Sequence, residues 1–246
     1  MLTARDVTIR FGGVVAVNKM EIDVRPGEIV GLIGPNGAGK TTFVNAISGT
    51  YIPAEGSIRW HDEEIVGRSP SYLARIGVGR TFQNVASLND LTVLDIVKVG
   101  RSVRKPSGGL RQFFFGNRRQ DNDLTDKFLE PLGLADHRDS PLQVLSYGHR
   151  KAVDIARALA GEPDLLLLDE PVAGVAPAEA FALAGFVKRI RDQLGCAVVM
   201  VEHKMDVVMS TCDRIVVMAA GAKIFEGSGA GVQSDPEVRR VYLGDA

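Results

Sequence analysis

The stretch Glu28-Ile29-Val30-Gly31-Leu32-Ile33-Gly34-Pro35-Asn36-Gly37-Ala38-Gly39-Lys40-Thr41-Thr42 decides the fold. Its first six residues are mostly apolar and read as a short buried strand. Lys40 to Ser48 reads as a helix. Between them lies GxxxxGK(S/T), with every fixed position filled from Gly34 to Thr41. Phosphate groups need several backbone N–H donors pointing into one concavity, and glycines let the chain take that curve. A helix opening directly after the loop adds its positive end. The pattern places Lys40 on the outer phosphates of a nucleotide and the Thr41 hydroxyl on Mg²⁺. Asn36, Gly37, Ala38, Gly39 and Thr42 complete the expected cradle.

Two further stretches carry chemistry. Leu165-Leu166-Leu167-Leu168-Asp169-Glu170-Pro171 is a buried strand ending in two carboxylates. Strand ends of parallel sheets are where ligand chemistry sits. Asp169 is expected to hold Mg²⁺, and Glu170 to orient or deprotonate an attacking water. Leu145-Ser146-Tyr147-Gly148-His149 opens a helix running to Ala160. Ser146 is a good N-cap, and such a helix start suits an anion.

Around these motifs the chain alternates. Leu2–Phe11 and Val14–Val24 read as strands separated by the turn signal Gly12-Gly13. Helical patterns follow at Val93–Val99, Asp123–Leu132 and Tyr147–Ala160. Leu165–Leu168, Ala197–Val201 and Ile215–Met218 read as buried parallel strands, with Pro177–Arg191 and Met205–Thr211 as the intervening helices. The expected fold is α/β. A P-loop NTPase core with a mixed, mostly parallel sheet (residues 1–85 and 162–246) carries an N-terminal antiparallel β subdomain. An α-helical subdomain (86–161) is inserted into it.

The 246 residues carry a formal net charge of −1, with 45% hydrophobic and 24% charged residues. That composition suits a globular chain and argues against a globally basic nucleic-acid binder. Cys196 and Cys212 lack CxxC spacing and read as buried apolar residues in a reducing compartment. No apolar run reaches the length of a membrane span, and Arg5, Asp6 and Arg10 interrupt any leader-like start. A cytoplasmic location is expected. The segment 101–120 carries six Lys or Arg, no acid, and Phe113, Phe114 and Phe115. Its composition suits an anionic lipid surface or a permease loop, and equally a solvated, mobile loop.

Taken together, the motifs resemble the ATPase subunits of ABC transporters over nearly the whole chain. The resemblance implies that Phe11 stacks on adenine. Gln83, in Thr81-Phe82-Gln83-Asn84, would sense Mg²⁺ and the membrane subunits. It makes His203 the switch histidine at the γ-phosphate. It makes Ser146 and Gly148 part of a signature that binds ATP held by the opposite subunit. Arg10-Phe11-Gly12-Gly13, Gly79-Arg80-Thr81-Phe82-Gln83, the basic insertion and Tyr242-Leu243-Gly244 are similar to the branched-chain amino acid uptake type. That type implies a second ABC ATPase subunit (a homo- or heterodimer), two transmembrane permeases and an extracytoplasmic binding protein. The subunit would lie on the inner face of the membrane. Amide, urea or lipid transporters and non-transport ABC ATPases are the alternatives. Tyr147 stands where the wider family's signature usually has Gly, though tyrosine there is compatible with the branched-chain uptake type; His149, where the signature often has Gln, is less usual. Ala176 stands where the loop after Glu170 usually has Asp or Asn, a residue that couples the two ATP sites.

Overall fold

A computed structural model describes residues 1–81, 88–104 and 118–243. Two sheets organise it. The smaller one has the order β2-β1-β4-β5, with β1 (Leu2–Phe11), β2 (Val14–Val24), β4 (Glu55–Trp60) and β5 (Glu63–Glu64), all antiparallel. The larger one has the order β10-β9-β3-β8-β7-β6. It comprises β3 (Ile29–Ile33), β6 (Val78–Arg80), β7 (Leu165–Asp169), β8 (Ala197–Val201), β9 (Arg214–Ala219) and β10 (Ala222–Gly227). Every pairing in it is parallel except β10 with β9.

The continuous apolar runs of β3, β7 and β8 follow from burial on both faces. Leu165 and Leu167 of β7 join Val30, Leu32, Val199 and Val201 in one core, shared with α1 (Lys40–Ile47) and the antiparallel sheet. Leu166 and Leu168 face the other way. They join Ile29, Val198 and Met200 in a core shared with α3 (Val93–Arg104), α5 (Tyr147–Ala160) and α6 (Pro177–Leu194). The helices between β6 and β7 therefore stand on one face of the large sheet and the N-terminal strands on the other.

Several elements lie outside the sequence expectation: β4, β5, β6, β10, α2 (Pro70–Arg75), α8 (Gly229–Ser234) and α9 (Pro236–Leu243). The helix expected over 123–132 is broken. α4 (Arg118–Leu124) runs into a π-turn at Thr125–Leu129 and a 3₁₀ turn at Glu130–Leu132. Pro131 has no N–H to continue an α-ladder there. The remaining helix is α7 (Met205–Thr211).

Of the basic segment, 105–117 lies outside the described residues. Arg101 pairs with Asp123 at 3.2 Å and Arg104 with Asp164 at 2.5 Å, so both cations are engaged within the chain. Burial pushes the Cys196 thiol up to about 11 and Cys212 up to about 12, which keeps both protonated and unreactive. Among the described residues no helix is long and apolar enough to cross a membrane.

Candidate functional site

Four neighbouring strands, β3, β8, β7 and β6, run parallel and end on the same edge of the sheet. The residues that follow them converge there. After β3 comes the loop 34–39, after β7 Glu170, after β8 Glu202 and His203, and after β6 Thr81. Gln83 lies two residues beyond Thr81, outside the described residues.

The loop is shaped by glycines where no other residue fits. A Cβ on Gly34 (φ +149°) would lie 2.1 Å from the Met218 carbonyl, and one on Gly39 (φ +94°) 2.3 Å from the Ala16 carbonyl. Gly39 is also the N-cap of α1, and no side chain caps that helix. Its opening turn is thus left to an anion. Lys40 is 8% exposed. Its Nζ donates to the carbonyls of Gly34 and Pro35, both at 2.8 Å. Burial lowers its pKa, against the pull of Glu170 and Asp169.

Asp169 is 2% exposed. Its Oδ1 accepts from the Thr41 hydroxyl at 3.2 Å, which joins the end of β7 to the start of α1. Its backbone N–H donates to Thr81 Oγ1 at 3.2 Å. Oδ2 has no hydrogen-bond partner, and the Arg80 guanidinium stands 3.6 Å away. Burial raises the Asp169 pKa, while Arg80 and Thr41 oppose the rise. An unfilled buried oxygen beside a threonine hydroxyl is a donor set suited to a small hard cation.

Glu170 holds a left-handed backbone at φ +50°. Its N–H donates to the Val201 carbonyl at 2.9 Å, and its carbonyl accepts from Lys151 Nζ at 3.0 Å. Glu202 is 0% exposed. Its Oε1 accepts from the N–H groups of His203 at 2.9 Å and Lys204 at 3.2 Å, and its Oε2 from Val172 at 3.4 Å. Lys204 Nζ donates to the Val175 carbonyl at 2.6 Å. The loops after β7 and β8 are thus sewn together around His203. Glu202, Lys151 and Arg80 were given no site role by the sequence, although Arg80 lies within the quoted stretch Gly79–Gln83 and Glu202 ends a strand beside His203.

Three further expected site residues lie on other elements, Phe11 at the end of β1 and Ser146 and Gly148 at the start of α5. Phe11 is 46% exposed at the end of β1, with its ring edge-on to Tyr51 at 5.1 Å. Ser146 caps α5 by accepting from His149 N–H at 3.2 Å. Among the described residues, no hydrogen bond joins the Ser146–His149 turn to the loop 34–42. A Cβ on Gly148 would lie 2.6 Å from Glu179 Oε2. Ala176 is the N-cap of α6 and gives it no side-chain cap.

A family model described as ABC transporter matches residues 17–173. A second, described as branched-chain amino acid ATP-binding cassette transporter, matches residues 222–246. The chain is 36% identical to the high-affinity branched-chain amino acid transport ATP-binding protein LivG of Escherichia coli, covering 100% of this chain and 98% of that one. It is 35% identical, with the same coverage, to the BraF protein of that description in Pseudomonas aeruginosa. A nucleotide-free ATP-binding cassette from an ABC transporter superposes with a TM-score of 0.87 at 31% identity, covering 100% of this chain and 99% of that one. An ATP-binding cassette in its ADP conformation gives 0.86 at 31%, with the same coverage.

Proposed function

We propose that this chain, which belongs to the ATP-binding subunits of ABC transporters, energises an importer of branched-chain or related amino acids. The observation that carries the site assignment is the bond from Thr41 to Asp169, which brings the phosphate loop and the two strand-end carboxylates into one place. The amino-acid substrate rests on the names of LivG and BraF and on the match at residues 222–246.

Within that reading, each residue has one task. Backbone N–H groups of the loop and the N-terminus of α1 bind phosphate oxygens, and Lys40 exchanges its two carbonyl partners for them. Thr41 and Asp169 hold Mg²⁺, joined by Gln83. Bound Mg²⁺-ATP supplies the phosphoryl group and the cation that offsets its charge. Glu170 orients the attacking water and accepts its proton. His203, set by Glu202, faces the γ-phosphate. Phe11 receives the adenine. Ser146 and Gly148 face outward and serve the ATP of a second subunit, so the efficient catalyst is a dimer. Catalysis is then positioning plus charge stabilisation.

The partners are a second ABC ATPase subunit, two permeases and, through them, an extracytoplasmic binding protein. The subunit sits on the inner face of the membrane. A cleft of about 310 Å³ is lined by Ser48, Leu73, Val78, Val103 and Pro163, with Arg80 also in its wall. It is the proposed seat for a permease loop.

The test is reconstitution with two candidate permeases and a second ABC ATPase subunit. ATP-dependent leucine uptake into proteoliposomes is expected, with Glu170→Gln retaining ATP binding and losing turnover. Hydrolysis without uptake of any branched-chain amino acid would remove the substrate assignment. Near-native hydrolysis by Glu170→Gln would remove Glu170 from its role.

A further inference from the structure

Tyr147 fills a signature position where the wider ABC family usually has glycine, and its ring has a structural use. Tyr147 is 55% exposed, so core burial does not account for it. Its Cε1 lies 3.0 Å from where a Cβ on Gly174 would stand, and Gly174 has φ +72°. The ring therefore rests on bare backbone in the loop after Glu170. One helical turn on, at i+4 and on the same face of α5, is Lys151. Its Nζ stands 5.8 Å from the centre of the Tyr147 ring and donates to the Glu170 carbonyl at 3.0 Å.

We propose that Tyr147 and Lys151 form a link within one subunit, through which the signature helix sets the backbone of that subunit's own Glu170. Lys151 is the positioning residue, and Tyr147 holds it in place. The inference rests on the ABC ATPase reading given above.

Glu170 needs such a hold. A non-glycine residue at φ +50° occupies a sparsely populated backbone region and stays there only when its surroundings fix it. Backbone partners do part of this: its N–H reaches Val201, and Ala173 N–H reaches its carbonyl at 3.3 Å. Lys151 adds a charged side-chain donor to that carbonyl, and such a bond is the stronger kind. Backbone angles at Glu170 fix where its carboxylate points. A movement of α5 is therefore transmitted to the group that orients the water. Ala176, further along the same loop, offers no side-chain acceptor or donor at the N-cap of α6. The Tyr147–Gly174 contact supplies the loop with a mechanical connection that does not use position 176.

Lys151→Met, Lys151→Arg and Tyr147→Ala are the test, made in the full chain assembled with its permeases. Steady-state ATPase, titration with a fluorescent ATP analogue and thermal unfolding are read together. For Lys151→Met, kcat is expected to fall about tenfold while KM and nucleotide affinity stay within about twofold, the pattern of a lost transition-state effect. Lys151→Arg, which keeps a cationic donor, is expected to recover most of the rate. Tyr147→Ala is expected to fall between. A Lys151→Met rate within about twofold of native overturns the proposal. So does an equal loss in Lys151→Arg accompanied by a lower unfolding temperature, because the role is then only structural. A native assembly that hydrolyses no ATP removes the ATPase reading itself, and this inference with it.

Discussion

Ala176→Asp should make the chain more stable and alter how two ATP sites communicate. Ala176 has φ −59° and ψ 150° and precedes Pro177, so it already has the backbone of an N-cap with proline at the first helical position. Only the side-chain acceptor is missing. Glu179 stands three residues on, where the second member of a capping box belongs. Supplying an N-cap acceptor contributes about 1 kcal/mol, and a negative charge at the helix start adds roughly 0.5 kcal/mol. Repulsion between the introduced carboxylate and Glu179 subtracts a few tenths, about 0.3 kcal/mol by the scale of helix side-chain pairs. Lys204, whose Nζ reaches the Val175 carbonyl at 2.6 Å, is a nearby cation that softens this. The net is about 1 kcal/mol, or a rise of about 2–4 °C in thermal midpoint for a chain of this size. Differential scanning calorimetry of the nucleotide-free chain reads it directly. An unchanged or lowered midpoint would mean that the N-cap argument fails at Ala176. The functional half is separate: the Hill slope of ATP hydrolysis in the assembled transporter should shift. An unaltered slope alongside a raised midpoint would confine position 176 to helix capping.

Three other outcomes follow from the site. Glu202→Ala leaves three backbone N–H groups without their acceptor. Each unpaired donor costs about 1–3 kcal/mol, so urea unfolding should show a loss of about 3 kcal/mol or more, and a loss under about 1 would mean that water takes over the bonds. Phe11→Ala should weaken ATP binding roughly fivefold, the low end of base-on-aromatic stacking, and unchanged affinity for a fluorescent ATP analogue would dissociate Phe11 from adenine. Asp169 gives a pH dependence with two opposite signs. Burial raises its pKa in the fold, so the folded chain takes up this proton more readily than the unfolded one. Its contribution to stability therefore grows as pH falls through the raised value and is withdrawn as pH rises. Mg²⁺ needs the carboxylate, so Mg²⁺-dependent nucleotide binding should weaken on acidification before an ordinary Asp would titrate. Calorimetric titrations in which that binding holds undiminished down to the ordinary Asp range would refute it.

The phosphate loop was legible because its chemistry allows few residues at fixed spacing. Gly34 and Gly39 cannot be replaced without driving a Cβ into a carbonyl. The strands β3, β7 and β8 were legible because cores on both faces demand unbroken apolar runs. Elsewhere the local signal was too weak or pointed the wrong way. β6 is three residues long, and its Gly79 is pressed against Pro163 and the Ala158 carbonyl. β10 lies at the edge of its sheet and keeps Lys223 and Glu226 paired with each other. α8 contains two glycines, and it is Ser228 at its N-cap and the burial of Val232 that hold it in shape. Glycine opposes helix, so tertiary packing decided that segment.

What the sequence hides most thoroughly is the set of side chains that act on backbone. Lys151, Lys204 and Glu202 bond to peptide groups of loops whose conformation is itself the outcome of folding. Peptide groups carry no sequence identity, so no residue type at the far end of such a bond marks it. The motif residues are recognisable because they touch a ligand whose chemistry is fixed; the residues that hold them touch only the chain. Tyr147 and Ala176 show the consequence. As motif positions they read as unrelated: Tyr147 is compatible with the branched-chain uptake type, and Ala176 departs from the family pattern. In the structure both act on the loop after Glu170, Tyr147 pressing from α5 on its backbone at Gly174 and Ala176 ending it at α6 without a cap. A chain that loses a side chain at one end of this loop and gains a ring against its middle has changed how the loop is held, and with it how Glu170 is held.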